Sequence, residues 1–151
     1  MPAPARSPFA YAIIRVVPRI ERGERFNAGV VLYCRQRDFL GARVALDERR
    51  LAALDPDASA EDVRAHLDAV VRVAGGDRGA GPIASMHQSE RFGWLVAPSS
   101  TMIQSSEVHT GLCEDPAQTL DSLFAELVLT PAAPEAGDVL VRQSATLFDV
   151  D

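Results

Sequence analysis

The sequence predicts a single α+β domain, with a mainly antiparallel sheet of about four to six strands and two amphipathic helices packed on one face of that sheet. Two observations lead to this prediction. Short apolar runs at 11–17 and 28–34, rich in Ile, Val and Tyr, flank a charged connection, which is typical of a strand hairpin. Two longer stretches, 59–74 and 115–128, repeat apolar residues at helical spacing.

Composition and length agree with one globular domain. The chain has 151 residues, of which 47% are hydrophobic and 24% charged, with a net charge of −6. No apolar run approaches the roughly 20 residues that a membrane helix needs. Arg15 and Pro18 interrupt the only apolar stretch near the start, so we expect no signal peptide and a cytoplasmic location. We expect three parts: a flexible, proline-rich arm at 1–8, the domain at 9–130, and a poorly ordered tail at 131–151.

The first strand is predicted at 9–17, where Pro18 ends its pairing. Arg15 lies inside this apolar strand, and a buried guanidinium needs a partner. We therefore expect Arg15 to pair with Glu21 or Glu24 in the following connection, where Gly23 permits a sharp reversal. Two further strands are predicted at 29–35 and 39–46, and a weak one at 139–142.

The helices are predicted mainly from their caps. Asp47 caps a brief helical turn, Ser59 opens a helix that Gly75 ends, and Asp115 opens the last helix with Pro116 at its first position. Between these helices the pattern is weaker. Residues 83–92 are ambiguous and could be a short helix, 94–97 and 101–105 are predicted as a hairpin, and 107–111 as a polar loop.

Charge is unevenly distributed along the chain. Residues 1–50 hold ten arginines and five acids, whereas residues 51–151 hold five arginines and sixteen acids. This asymmetry indicates either a basic binding face or an attraction between the two halves of the chain. The two cysteines, Cys34 and Cys113, are expected to be a reduced, unbridged pair.

The connection after the first strand is the best candidate for a binding site. It belongs to a segment with four arginines in eleven residues, and guanidinium groups bind phosphate or carboxylate in a bidentate manner. The alternative is an internal network of ion pairs with Glu21 and Glu24. With the polar segment that follows residue 103, the candidate binding residues are Arg15, Arg19, Arg22, Glu24, Arg25, Asn27, Gln104 and His109. If the two segments pack together, Arg22, Glu24, Arg25, Gln104 and His109 could line one cleft, and the alternative is two unrelated surface loops.

Other classes of site have less support. Nucleic acid is disfavoured, because the chain is acidic and Phe26 is the only aromatic residue of the connection. No CxxC or HExxH motif is present, so we predict no metal and no cofactor. No catalytic residue can be named, since no complete catalytic group stands out from the sequence.

Several motifs carry a resemblance to a known family. The run Y-x-I-I-R-V-V-P-R-x-E-R-G-E-R-x-N-x-G-V-V-L-Y-C begins at Tyr11, and later segments read R-F-x-W-L, T-M-I-Q, V-H-T-G-L and D-P-x-x-x-L-x-x-L-F. Over about residues 9–129 the chain resembles the bacterial domain-of-unknown-function family numbered three thousand and thirty-seven. The resemblance implies no activity. It implies a genomic context beside kinases of the HipA type, and hence such a kinase as a partner.

Two functions remain open. In the first, the protein is a non-enzymatic regulatory or accessory partner, for a HipA-type kinase or a toxin–antitoxin or defence-like system, that binds a protein or an anionic, phosphorylated ligand through the arginine- and glutamate-rich connection. In the second, it is an enzyme on a phosphate-bearing or nucleotide substrate, with the arginines stabilising charge and Glu24 or His109 acting as acid or base. A homodimer is compatible with either.

Overall fold

The computed structural model describes residues 5–129 and, for residues 139–146, the backbone alone. Its six strands and four helices follow one another along the chain with short connections. They are β1 Ser7–Val16, β2 Phe26–Cys34, β3 Phe39–Asp47, α1 Glu48–Leu54, α2 Ala60–Ala74, α3 Gln88–Val96, β4 Ile103–Ser105, β5 His109–Cys113, α4 Pro116–Leu127 and β6 Val139–Thr146.

All strand pairings in the sheet are antiparallel, which confirms the predicted α+β class. β4 and β5 both pair with β1 and together form one edge, and the order then continues through β1, β2 and β3 to β6. β1 is therefore the strand on which the first half of the sheet is assembled, because it is hydrogen-bonded along both of its sides.

The helices cover both faces of the sheet, and the prediction that the two main helices share one face is wrong. α2 and α3 pack on one face in the α2-side core, which includes Ile14, Leu40, Val63 and Phe92. α4 packs on the other face in the α4-side core, which includes Phe9, Leu32, Phe39, Leu120 and Phe124. β2 and β3 are apolar on both sides, as a central strand covered on both faces must be, and this explains the opposite placement.

A bulge in β2 sets the side-chain directions of the central hairpin. Ile14 pairs with Gly29 and Arg15 with Asn27, so Ala28 is the extra residue. Ala28 and Val31 consequently face the α2-side core, whereas Val30 and Leu32 face the α4-side core. Gly29 is needed at this position because a Cβ atom there would lie 2.8 Å from the carbonyl oxygen of Arg43.

The caps that the sequence predicts are confirmed. The side chain of Asp47 accepts hydrogen bonds from the backbone of Arg49 and Arg50, that of Ser59 from Asp62, and that of Asp115 from Ala117 and Gln118. α4 is fixed to the sheet by Arg43 of β3. Its guanidinium lies 4.4 Å above the ring of Phe124 and 3.1 Å from the carboxylate of Asp121. None of the helices in the described part combines the length and apolar character needed to cross a membrane.

Two predictions for the middle of the chain are wrong. Three of the four residues predicted as a strand at 94–97 belong to α3, whose buried residues Gln88, Arg91, Phe92 and Leu95 repeat at helical spacing and pack beside α2. The predicted polar loop at 107–111 overlaps β5, which pairs with β1. In this strand the even-numbered residues are exposed and the odd-numbered ones are more buried. Propensity favoured other structures in both segments, and packing against α2 and β1 decides the outcome.

The ends of the chain differ in detail from the predicted boundaries. β1 begins at Ser7, so the last two residues of the predicted arm pair with β5. The weak strand predicted at 139–142 is present and extends to Thr146 as β6, along β3. Residues 1–4, 130–138 and 147–151, which include most of the predicted tail, lie outside the described residues.

Both cysteine thiols are free and buried. Cys34 and Cys113 belong to the α4-side core, on strands that lie on either side of β1. Burial raises the pKa of the Cys113 thiol to about 11, and the neighbouring Cys34 adds to the effect. The folded protein therefore holds the neutral thiol in a pH range where an exposed cysteine ionises.

Replacing Gly29 tests the bulge. We expect Gly29→Ala to lower the free energy of unfolding by roughly 1–3 kcal/mol, because the added methyl group overlaps the β3 backbone. Gly93→Ala is the matched control, since a Cβ atom on this exposed α3 residue meets nothing within 4 Å. It should leave stability unchanged or raise it by up to about 1 kcal/mol. Urea unfolding curves measure both, and equal midpoints for the two variants would contradict the close packing at Gly29.

The raised pKa of Cys113 predicts a pH dependence. The unfolded chain loses the thiol proton near pH 9 while the folded chain keeps it up to about pH 11. The free energy of unfolding should therefore fall over this interval by up to about 1.4 kcal/mol per pH unit. In Cys113→Ala, the free energy of unfolding measured with urea should decline less steeply across the same pH range. Identical slopes for the two proteins would mean that the thiol is not protected by folding.

Candidate functional site

Arg15 lies on the α4-side face of β1 and is partly exposed. Ile14 and Val16 point into the α2-side core, so Arg15 between them points to the opposite face. The prediction that it pairs with Glu21 or Glu24 is wrong. Within residues 5–129, Arg15 forms no ion pair within 4 Å, and Glu24 lies 2.5 Å from Arg22 instead. Partial exposure leaves the guanidinium hydrated, so that no buried partner is required.

The edge of the sheet beside Arg15 carries a second irregularity. Ile13 is opposite Ser106, but Tyr11 is opposite His109, so one extra residue is inserted between β4 and β5. Ser106 is buried and binds both backbone groups of Ile13. Its N–H donates to the Ile13 carbonyl at 2.8 Å, and its hydroxyl oxygen accepts from the Ile13 N–H at 2.9 Å. This anchoring holds the chain to β1 while Glu107 projects into solvent.

Glu107 is surrounded by positive or ionisable groups. Its Oε1 atom lies 3.5 Å from Nε2 of His109, and the ring of His109 packs against Tyr11 with a centroid distance of 5.3 Å. A hydrogen bond from its own backbone N–H holds the pKa of Glu107 below the usual value, and the charges of His109, Arg15 and Arg25 lower that pKa further. We call Tyr11, Arg15, Arg25, Glu107 and His109 the Arg15 cluster.

The loop between β1 and β2 forms a compact turn at residues 19–23. The N–H groups of Arg22 and Gly23 donate to the carbonyl of Arg19, and Gly23 has a φ of +70°, as predicted for the reversal. The side chains of this turn are engaged locally. Arg19 lies 3.3 Å from Asp55 at the end of α1, and Arg22 pairs with Glu24. These two arginines are therefore largely neutralised by acids.

Arg25 is exposed and closes the loop. It forms no ion pair within 4 Å in the part of the chain that the structure describes, and its charge acts on Glu107. Arg25 also borders a shallow groove of about 460 Å³ toward α1, where Arg50 lines the opposite wall. Arg50 gives no signal in the sequence, since α1 carries it on a face that only the folded chain brings to the loop.

Asn27 and Gln104 lie beside Arg15 on the neighbouring strands. Asn27 pairs with Arg15 across the β2 bulge and donates through Nδ2 to the Leu127 carbonyl at 3.0 Å, which binds the end of α4 to the sheet. Gln104 pairs with Arg15 on the other side and donates through Nε2 to the Thr101 carbonyl. Both side chains therefore form hydrogen bonds to backbone carbonyls within the fold.

Six of the eight predicted site residues are thus divided by the fold into three groups, while Asn27 and Gln104 bind backbone carbonyls beside Arg15. Arg15, Arg25 and His109 come together, Arg19 is drawn to α1, and Arg22 and Glu24 pair at the exposed turn. The cleft that was to join Arg22, Glu24, Arg25, Gln104 and His109 is only partly formed. Glu107 and Tyr11 are the members that sequence reasoning missed, and the strand alternation of Tyr11 with Arg15 was the available signal for Tyr11.

An apolar groove lies on the other face of the sheet. It has a volume of about 370 Å³ and runs between α2, α3 and β4. Its walls include His66, Val70, Trp94 and Ile103, and the side chain of Trp94 is unusually open for an aromatic residue, with 54% of the residue exposed. No arginine or acid lines this groove, so its chemistry differs from that of the Arg15 cluster.

Metal binding has no geometric support in the described part of the chain. Across residues 5–129, no three His, Cys, Asp or Glu side chains converge to hold an ion.

Comparison with known proteins gives one similarity. Residues 11–128 match the family described as "Protein of unknown function (DUF3037)". The match begins in β1 and ends just after α4, and so includes the Arg15 cluster. No curated protein and no solved structure proved similar to the chain.

Removing one neighbouring charge should shift the titration of Glu107. In Arg25→Gln we expect the pKa of Glu107 to rise, while it stays below the usual value because the backbone hydrogen bond remains. Folding favours the ionised carboxylate, so its stabilising contribution is lost as the pH falls through the lowered pKa. Carbon-detected NMR of the glutamate carboxyl measures the shift. Arg78→Gln, in the connection after α2, is the control. If the pKa of Glu107 rises equally in this variant, Arg25 has no specific effect on Glu107.

Proposed function

Because the chain belongs to the DUF3037 family, whose description names no activity, we propose a function from the site itself: the protein is a non-enzymatic partner that binds an acidic or phosphorylated group through the Arg15 cluster and the adjoining loop. One observation carries this proposal. Arg15 and Arg25, without a close ion pair in the described residues, act together with His109 on a single carboxylate, that of Glu107.

The local charge balance supports binding of an anion. Of the four arginines in and beside the loop, Arg19 and Arg22 are matched by acids. Arg15 and Arg25 form no ion pair within 4 Å among residues 5–129, so both guanidinium groups remain available to an incoming anion. Guanidinium groups exposed on a rigid sheet are suited to carboxylates and phosphates, since they present parallel N–H donors in a fixed plane.

The accessibility of the cluster favours binding over catalysis. The side chains of Glu107 and His109 are 75% and 42% exposed, so water reaches both of them. General acid–base chemistry on a phosphate-bearing or nucleotide substrate, the alternative function, gains most from an enclosed site that excludes water. Glu24, one of the acids considered for such a role, is held by Arg22 at the tip of the loop.

A protein partner agrees with the location of the cluster at a sheet edge. Val108, next to the cluster, is an exposed apolar residue. Apolar contacts of this kind around a charged centre are common in protein interfaces. A HipA-type kinase as the partner and a cytoplasmic location remain predictions.

Binding should depend on Arg15 and Arg25 and fall with rising salt concentration. We expect Arg25→Gln, and Arg15→Met, each to weaken capture of the partner by about tenfold, the effect of losing one charge-assisted hydrogen bond. The partner is identified by co-purification from the native host with mass spectrometry, produced separately, and titrated against each variant. Arg78→Gln is the control of equal charge change. Unchanged affinity in both cluster variants would contradict the proposal.

The same variants should leave the fold intact. Arg22→Ala and Arg25→Ala should change the free energy of unfolding by less than about 0.5 kcal/mol, because both side chains are exposed. Leu120→Ala, which truncates a fully buried residue of α4, should cost roughly 2–5 kcal/mol. Thermal or urea unfolding compares them. If the arginine variants destabilise the protein as much as Leu120→Ala does, the loop has a structural role and is not a binding site.

A further inference from the structure

Glu107 is the carboxylate of the Arg15 cluster. Three further acids around the loop and α4 are engaged elsewhere: Glu24 pairs with Arg22, Asp55 with Arg19, and Asp121 with Arg43. Glu107 alone approaches His109, at 3.5 Å, and is acted on by the charges of both free arginines. An anionic ligand that contacts His109 would therefore meet the Glu107 carboxylate there.

The backbone and side chain of Glu107 are held very differently. Ser106, the preceding residue, is fixed to β1 by two hydrogen bonds to Ile13, so the backbone at this point is rigid. The Glu107 side chain is 75% exposed, and within residues 5–129 its closest ionic contact is the one to His109. Exposed ion pairs contribute little free energy. The carboxylate can therefore swing into solvent without a change in the sheet.

We infer that Glu107 is a built-in competitor for the Arg15 cluster, whose carboxylate occupies the anion position in the free protein and is displaced when a ligand oxyanion binds. This inference rests on the proposed function. It identifies the group recognised as an oxyanion of carboxylate or phosphate type, because the ligand replaces a carboxylate that lies 3.5 Å from the His109 imidazole and is acted on by the charges of Arg15 and Arg25. It also assigns Glu107 a regulatory role, in that its presence lowers the affinity of the cluster.

The bulge between β4 and β5 gives this role a structural basis. In a regular edge strand, successive side chains point to opposite faces of the sheet. Without the extra residue, Glu107 would therefore point away from Arg15, to the other face. Bulges at sheet edges re-aim side chains in this way. A charged residue at an edge also discourages unwanted strand pairing, which is the alternative reason for a glutamate here. Only the competitor role predicts an effect on anion affinity.

The experiment titrates inorganic phosphate and succinate, in separate series at fixed ionic strength, into the full chain followed by NMR. The variants are Glu107→Gln, which removes the charge, and Glu107→Asp, which keeps the charge but shortens the side chain by one methylene group. Glu114→Gln is the control, because this exposed glutamate follows β5 and its removal changes the net charge equally. The two probes separate recognition of a phosphate from recognition of a carboxylate.

We expect Glu107→Gln to bind at least one probe about five- to tenfold more tightly than the wild type, and Glu107→Asp to bind it about twofold more tightly, since the shorter side chain occupies the position less well. Glu114→Gln should match the wild type. Equal gains in Glu107→Gln and Glu114→Gln, or a Glu107→Asp affinity equal to that of the wild type, would overturn the competitor role, because general charge would then explain the effect.

The outcome also distinguishes this inference from the proposed function. If Glu107→Gln binds no better than the wild type while Arg25→Gln abolishes the binding, the cluster is an anion site and only the competitor role fails. If neither probe binds to any of the proteins, Glu107→Gln included, both the competitor role and the anion-binding function of the cluster fail.

Discussion

The double hydrogen bond between Ser106 and Ile13 fixes the relation between the edge of the sheet and its central strand. Ile13 lies in the middle of β1, and the opposite side of the same strand carries the bulge at Ala28 in β2. β1 is thus bordered by an irregularity on each side within the five residues Tyr11 to Arg15. Regular pairing would distribute the polar side chains of this region over both faces of the sheet. The two irregularities instead place Arg15, Asn27, Glu107 and His109 on the face that α4 covers only in part.

The same arrangement links the site to the stability of the fold. Asn27 beside Arg15 holds the last carbonyl of α4, and Arg43 on β3 holds the middle of that helix through Asp121 and Phe124. The cluster is therefore built on rigid elements, and its side chains can remain exposed while their Cα positions are fixed. The loop between β1 and β2 contributes less than its sequence suggests, because two of its arginines are used in ion pairs that fold the turn back on itself and onto α1.

Those parts of the fold that depend on local chemistry could be predicted from the sequence. Capping residues placed the starts of α1, α2 and α4, and β-branched runs placed the first three strands, because these signals act within a few residues. α3 was anticipated only as a possible short helix at 83–92, and β5 was missed, because each depends on a partner distant in sequence: α3 on α2, and β5 on β1. The side of the sheet taken by α4 could not be predicted either, since an apolar strand gives no sign of which helix covers which face.

Arg15 and Arg25 were named from the sequence because four arginines fall within eleven residues, and His109 because it belongs to the polar segment after residue 103, but their grouping depends on strand register. Glu107 gave no signal among twenty-one acids. The account is tested most directly by mapping an anion titration with phosphate on the wild-type protein, using NMR signals of arginine Nε, histidine and tryptophan side chains. We predict shifts at Arg15, Arg25 and His109 and none at Trp94 or His66. Shifts centred on Trp94 and His66, with Arg15 and Arg25 unaffected, would contradict it and move the site to the opposite face of the sheet.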